Sequence, residues 1–341
     1  MKVGILTGGG DAPGCNAVIR AAVRKGITKY GFEMFGIKDG WHGLLTGEIR
    51  PLTLQDISGI LPKGGTILGT SRTNPFKKEG GPSKVIENVK KYGLDAIIAI
   101  GGDDTLSVAQ KLHEMGVRVV GVPKTIDNDL ACTDYTFGFD TAISVVADAL
   151  DKLHTTAESH HRILVVEVMG RHAGWIALLG GLAGGADFIL IPERPTKIEA
   201  ICEAVKKRQE RGKRFSIVVV AEGAKIDGQE IVQSKKLDEF GHVRLGGVGP
   251  VLAEKIEEMT GMETRAIVLG HLQRGGSPTA FDRILATRFG AAAIDLVKEE
   301  KFGMMPALQG NRIVTIPIKE AVSNPKLVDS VLYELAETFF G

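Results

Sequence analysis

The sequence predicts a doubly wound α/β protein with parallel sheets, and three observations carry that prediction. Short β-rich runs alternate with amphipathic helical stretches almost from end to end, the pattern of strand–helix–strand units. Val117-Arg118-Val119-Val120-Gly121-Val122 reads as a strand buried in such a sheet. The 44 glycines gather where apolar runs end, as at Gly8-Gly9-Gly10, Gly101-Gly102, Gly180-Gly181, Gly246-Gly247 and Gly275-Gly276. Loops need them there when backbone closes on something or takes a positive φ.

In chain order, the first strand is predicted over Val3–Thr7 and the first helix over Asn16–Tyr30. Strands over Ala96–Ile100 and Val117–Val122 bracket a helix over Thr105–Met115. A helix over Phe139–Thr155 leads to strands over Ile163–Val168 and Phe188–Ile191. Helix Ile198–Arg211 comes before strand Ile217–Ala221, and the polar, aperiodic stretch Lys225–Val243 reads as an insertion or a short hairpin. Helix Gly249–Met259, strand Ala266–Leu269 and helix Asp282–Lys298 complete the series.

With 341 residues and 43% hydrophobic composition, the chain is long enough for two domains. No Pro/Ser linker or charge block separates halves, which points to a chain that crosses between domains more than once. A formal charge of +1 gives no basic field for nucleic acid or a membrane surface. Three cysteines without metal-ligand spacing fit a reduced compartment. The apolar run after Met1-Lys2 is too short for a signal-peptide core, and no run approaches membrane-spanning length. The expectation is a soluble, cytoplasmic protein.

Three loops at strand ends carry candidate chemistry. Thr7-Gly8-Gly9-Gly10-Asp11-Ala12-Pro13-Gly14 lets backbone N–H groups approach an anion at a helix start. It is neither G-x-G-x-x-G nor Walker A, and a glycine turn made for packing is the alternative. Gly101-Gly102-Asp103-Asp104-Thr105 sets two carboxylates at the next such position. Carboxylates repel phosphate unless a divalent cation such as Mg²⁺ bridges them or a lysine neutralises one; a helix cap by Asp104 is the other reading. Pro123-Lys124-Thr125-Ile126-Asp127-Asn128-Asp129 offers a cation, a hydroxyl and two carboxylates, or simply a polar turn with Asx-type bonds.

Further along, Arg171 in Met169-Gly170-Arg171-His172, Glu222, and His271 with Arg274 follow predicted strands, whereas Arg162 and Arg265 precede them. Arg72 sits in a loop of small residues. Arginine with glycine at strand ends suits phosphate esters. Zinc spacing and a Gly-x-Ser-x-Gly nucleophile elbow are both missing from the sequence.

Taken together, Gly9–Gly14, Gly101–Asp103, Thr125–Asp129, Glu167–Arg171 and Gly270–Pro278 match in order the motifs of the phosphofructokinases, which the sequence resembles over essentially its whole length. The resemblance implies two similar Rossmann-like domains with the active site in the cleft between them, and a homotetramer. Residues 1–138 with 273–323 would bind the phosphoryl donor and Mg²⁺, and 139–272 with 324–341 fructose 6-phosphate. Asp127 would be the base for the C1 hydroxyl, supported by Asp129. Thr125 and Arg171 would stabilise the transferring group, and Asp103 would be the Mg²⁺ carboxylate. Gly10, Arg72, Gly101, Gly102, Asp104, Thr105 and Lys124 fall on the donor side. Met169, Gly170, Arg171, Glu222, His271 and Arg274 match the sugar-phosphate site, with Arg162 and Arg265 reaching it from a neighbouring subunit.

Members that use ATP have glycine at position 104 and usually at 124. Pyrophosphate-dependent members resemble this chain at both, so pyrophosphate is the expected donor in this glycolytic step and ATP the alternative. A non-catalytic regulatory subunit would not need Asp103, Asp127 and Arg171. A lipid or nicotinamide-dinucleotide kinase would not need the sugar-phosphate set. Sedoheptulose 7-phosphate stays open as a second acceptor. The effector site of allosteric relatives is partly matched: Arg20, Arg24, Arg211, Lys213 and Arg214 are present, but His154 and Asp187 replace an arginine and a glutamate.

Overall fold

The structure, a computed structural model, describes residues 1–234 and 238–341. Its first strands are β1 Lys2–Thr7, β2 Glu33–Ile37, β3 Ile49–Leu52, β4 Ala96–Gly101 and β5 Val119–Pro123. There follow β6 Ile163–Val168, β7 Phe188–Leu190 and β8 Ser216–Ala221, then the short β9 Lys225–Ile226, β10 Gln229–Glu230, β11 Val232–Ser234 and β12 Arg244–Leu245. The last three are β13 Thr264–Val268, β14 Met304–Gln309 and β15 Arg312–Pro317. A seven-stranded sheet has the order β15-β14-β5-β4-β1-β2-β3, and a four-stranded sheet β13-β6-β8-β7.

The central strands are apolar throughout because both faces are covered. Every residue of β4, β6 and β8 is buried. In β4, Ile98 and Ile100 face helices Cys15–Tyr30 and Ala280–Lys298, while Ile97 and Ala99 face helix Asp103–Glu114. In the second sheet, Val166 and Val219 pack with helices Phe139–His160 and Trp175–Ala183, and Val165 and Val218 with Ile198–Glu210 and Val248–Thr260. Helices Cys15–Tyr30 and Ala280–Lys298 come close enough that a Cβ on Gly290 would lie 2.4 Å from the Val18 carbonyl oxygen.

The second sheet is parallel throughout. The first departs from the all-parallel expectation at its edges, where β3 runs antiparallel to β2 and β15 to β14. Gly310-Asn311 is a two-residue connection between Gln309 and Arg312, with Gly310 at φ 59. Glycine at the first central position suits such a hairpin, and no crossover helix is needed.

The chain changes sheets repeatedly: β1–β5 build the first, β6–β8 and β13 the second, and β14–β15 return to the first. Helix Ser330–Glu337 then goes back, its Tyr333 hydroxyl donating to the Ile189 carbonyl at 2.9 Å. The polar stretch contains the expected hairpin in β9–β10, and β11 pairs with β12. Within that stretch, residues 235–237 lie outside the described residues. Among the described residues no helix is long and apolar enough to cross a membrane.

Candidate active site

From β1 the chain winds outward to β2 and β3, then returns to build β4 and β5 on β1's other side. The strand order therefore reverses between β1 and β4, the crevice where open α/β sheets collect ligands. The loops leaving β1, β4 and β5 are the three glycine- and aspartate-bearing segments.

A cavity of about 710 Å³ opens here, with Gly10, Thr70 and Arg72 on one wall and Met169, Arg171, Glu222, His271 and Arg274 on the other. A recess of about 40 Å³ continues from it, lined by Gly102, Asp103, Asp104, Thr105, Lys124, Thr125, Asp127 and Asp129. Gly10, Arg72, Arg171 and Arg274 border both. Residues 263 and 264 positions apart thus meet: Arg274 donates to the Asp11 carbonyl at 3.1 Å, and a Cβ on Gly10 would lie 2.6 Å from its guanidinium.

Four of the sequence-predicted residues do not line this space. Gly101 keeps room for Thr105, since a Cβ there would lie 2.2 Å from the Thr105 Cβ. Gly170, at φ 143, turns the chain. Arg162 and Arg265 stand at the amino ends of β6 and β13, opposite the cavity, both on Glu263 at 2.8 and 2.7 Å.

The helix-cap reading of Asp104 is corrected. Gly102 is the N-cap and Asp103 and Asp104 lie inside the first turn. Asp104 instead receives Arg171 on Oδ2 at 3.4 Å and the His242 ring on Oδ1 at 2.9 Å. The polar-turn reading of Pro123–Asp129 is met in the backbone. The Thr125 hydroxyl accepts the Asp127 N–H at 3.0 Å, and Asn128, at φ 52, accepts the Thr136 N–H at 3.0 Å. A backbone tied in this way aims its carboxylates, and the Oδ1 atoms of Asp127 and Asp129 are buried without a hydrogen-bond partner among the described residues. Such orphaned acceptors are rare unless a ligand completes them.

The electrostatics follow from burial. Burial, then the Asp127 charge, pushes the Asp129 carboxyl well up. Burial, then Asp104, raises Asp103, and burial, then Asp127, raises Glu222. Burial pushes the Lys124 ammonium down to about 8; it is 3% exposed and donates to the Gly10 carbonyl. The recess sets Asp103, Asp104, Asp127 and Asp129 against Arg72, Lys124, Arg171 and Arg274. A phosphoryl donor would add negative charge beside these carboxyl groups, and a divalent cation would offset it. Asp103 suits that task, because among the described residues it accepts a long 3.4 Å bond from Ser107 and lies against Asp104. Among the described residues no cluster of three or more His, Cys, Asp or Glu forms a protein-built metal cage. Mg²⁺ is more often held by one or two carboxylates with phosphate oxygens.

Lys124 gives a testable pH dependence. Its charge is present below about pH 8 and lost above, so kcat/KM for an anionic donor should fall as pH rises through that value. Lys124→Arg, which does not titrate, should move the fall upward. A fall at the same pH in both proteins would assign it to another group.

Sequence reasoning missed His242, Asp238 and Gln273. Gln273 is fully buried and accepts the Met169 N–H at 3.3 Å, and its place inside Gly270–Gly276 was the available signal. His242 and Asp238 carried none, being part of the aperiodic polar stretch. Of the partly matched effector cluster, Asp187 pairs with Arg208 at 2.9 Å, and the Nε2 of His154 lies 2.9 Å from the Gly184 carbonyl oxygen.

Two doubly wound sheets facing each other across a charged cleft define an α/β protein with its site at the strand carboxyl ends. The chain belongs to the phosphofructokinase family, whose model, Phosphofructokinase, matches residues 2–297. It is 59% identical, over all of both chains, to the pyrophosphate–fructose 6-phosphate 1-phosphotransferase of Amycolatopsis methanolica. It is 49% identical, again over all of both chains, to the ATP-dependent 6-phosphofructokinase 2 of Streptomyces coelicolor. Among solved structures, phosphofructokinase from Saccharomyces cerevisiae superposes with a TM-score of 0.82 at 32% identity, over 99% of this chain and 46% of the yeast chain.

Proposed function

We propose that the chain transfers a phosphoryl group from pyrophosphate to the C1 hydroxyl of fructose 6-phosphate, giving fructose 1,6-bisphosphate. The observation that carries the choice of donor is Asp104, which stands in the recess with both its oxygens engaged. Its charge occupies space that a donor extending past two phosphates would need. The full-length likeness to the Amycolatopsis enzyme, above that to the ATP-dependent one, supports the same choice.

In this reading the orphaned Oδ1 of Asp127 accepts the proton of the C1 hydroxyl as that oxygen bonds to phosphorus. The bridging P–O bond breaks and inorganic phosphate leaves. Arg171 and Lys124 neutralise charge on the transferring and leaving groups, and the Thr125 turn fixes Asp127 in line. Met169, Glu222, His271 and Arg274 hold the sugar phosphate. Mg²⁺, held by Asp103 with phosphate oxygens, would neutralise donor charge.

The two sheets correspond to a donor domain, 1–138 with 273–323, and a sugar-phosphate domain, 139–272 with 324–341. Because Arg162 and Arg265 face away from this chain's own cavity, they serve the site of a neighbouring copy in a cytoplasmic homotetramer. A monomeric mass by sedimentation at working concentration would refute that assembly. Initial rates with fructose 6-phosphate and Mg²⁺ test the donor: pyrophosphate should outrun ATP by at least about tenfold in kcat/KM, a difference near 1.4 kcal/mol. ATP rates equal to or above those with pyrophosphate overturn the reading.

A further inference from the structure

We propose that His242 is a positioning residue for donor choice, holding Asp104 in the recess and so leaving Arg171 available to the phosphoryl group. The inference rests on the pyrophosphate reading.

The two ties to Asp104 are unequal. The His242 nitrogen lies 2.9 Å from Oδ1, in the middle of the hydrogen-bond range, whereas Arg171 lies 3.4 Å from Oδ2, at its outer edge. Asp104 is therefore anchored by histidine and only loosely held by arginine. With His242 removed, the carboxylate would turn to the nearest strong donor, and arginine takes carboxylates as a fork. Arg171 would then be drawn from the cleft, and Asp104 would lose the orientation that obstructs longer donors.

His242 reaches the recess in a tight, self-tied turn. The Asp238 carboxylate accepts the N–H groups of Phe240 and His242 at 2.9 and 3.0 Å, and the Asp238 N–H donates to the His242 carbonyl at 3.0 Å. Glu239 pins that turn across the cleft, accepting from the Asn74 N–H at 2.9 Å and from Lys78 at 2.6 Å. The histidine is thus fixed in place from a segment flanked by β11 and β12, although its target stands in the first turn of the helix that follows β4.

The test measures kcat and KM with pyrophosphate and with ATP for the native chain, His242→Ala and His242→Gln, each also combined with Asp104→Gly. In His242→Ala the ratio of kcat/KM values, pyrophosphate over ATP, should fall by about ten- to a hundredfold, the span of a hydrogen bond to a charged group. His242→Gln, whose amide can donate to the same oxygen, should recover most of it. In the Asp104→Gly background the loss of His242 should leave the ratio unchanged, since the two residues act as a unit. Equal losses with both donors, or a further shift of the ratio without Asp104, overturn the assignment. Should His242→Ala fail to fold, His242→Phe keeps the ring volume without the donor and is judged by the same ratios. A native chain that uses ATP as readily as pyrophosphate overturns the donor reading itself, and native rates alone reveal it.

Discussion

Asp127→Ser should lower kcat by about 10²–10⁴-fold, the usual worth of a positioned general base, while KM for fructose 6-phosphate changes little. The same substitution should leave thermal stability equal or slightly higher. Asp127 is 4% exposed, and its Oδ1 is buried without a partner among the described residues, a state that costs folding free energy when no ligand is bound. Its charge also helps to push Asp129 and Glu222 up, so removing it relieves two further groups. Loss of activity with a retained or raised melting temperature is the pattern of a residue kept for chemistry. A variant within tenfold of native kcat would refute the base assignment.

Asp104→Gly should move donor preference toward ATP by the second largest factor. A phosphate charge about 4 Å from this carboxylate would meet a repulsion of about 4 kcal/mol at an effective dielectric of 20. The Asp104 side chain is only 15% exposed, so screening by water is partial. The expected gain in kcat/KM with ATP lies between about tenfold and a thousandfold. Pyrophosphate rates should change less than ATP rates, because Arg171 only loses a long 3.4 Å tie to Asp104. Glycine inside the first helical turn costs about 1 kcal/mol of helix stability, which Asp104→Asn avoids. Asparagine keeps the shape without the charge, so it also separates repulsion from bulk. ATP rates unchanged in both variants would remove Asp104 from the donor argument.

The central architecture was legible because buried parallel strands are apolar on both faces: Ile163–Val168 is seen in the sequence as it is in the structure. The edges were not. β2 begins with an exposed glutamate, while Pro51 and Pro306 interrupt β3 and β14, and proline demotes a run on any propensity scale. Helix Trp175–Ala183 was hidden by Gly180-Gly181, which sit against Val146 and Ile189 where a Cβ would come within 3 Å. In the site, charged residues directly after a strand were visible through their neighbours. His242 was not, because a contact 138 residues from its partner leaves no trace in local pattern.

The return of β14 to the first sheet sets an order on biosynthesis. Strand β5 ends at Pro123 and its outer neighbour begins at Met304, 304 − 123 = 181 residues later. At 5–20 residues per second, a ribosome takes roughly 9–36 s to make that stretch. For all of that time Val119–Pro123, buried in every residue of the finished protein, has an open hydrogen-bonding edge. The nascent chain therefore carries, in its first-made half, an apolar strand with one open edge that only its last-made half can cover.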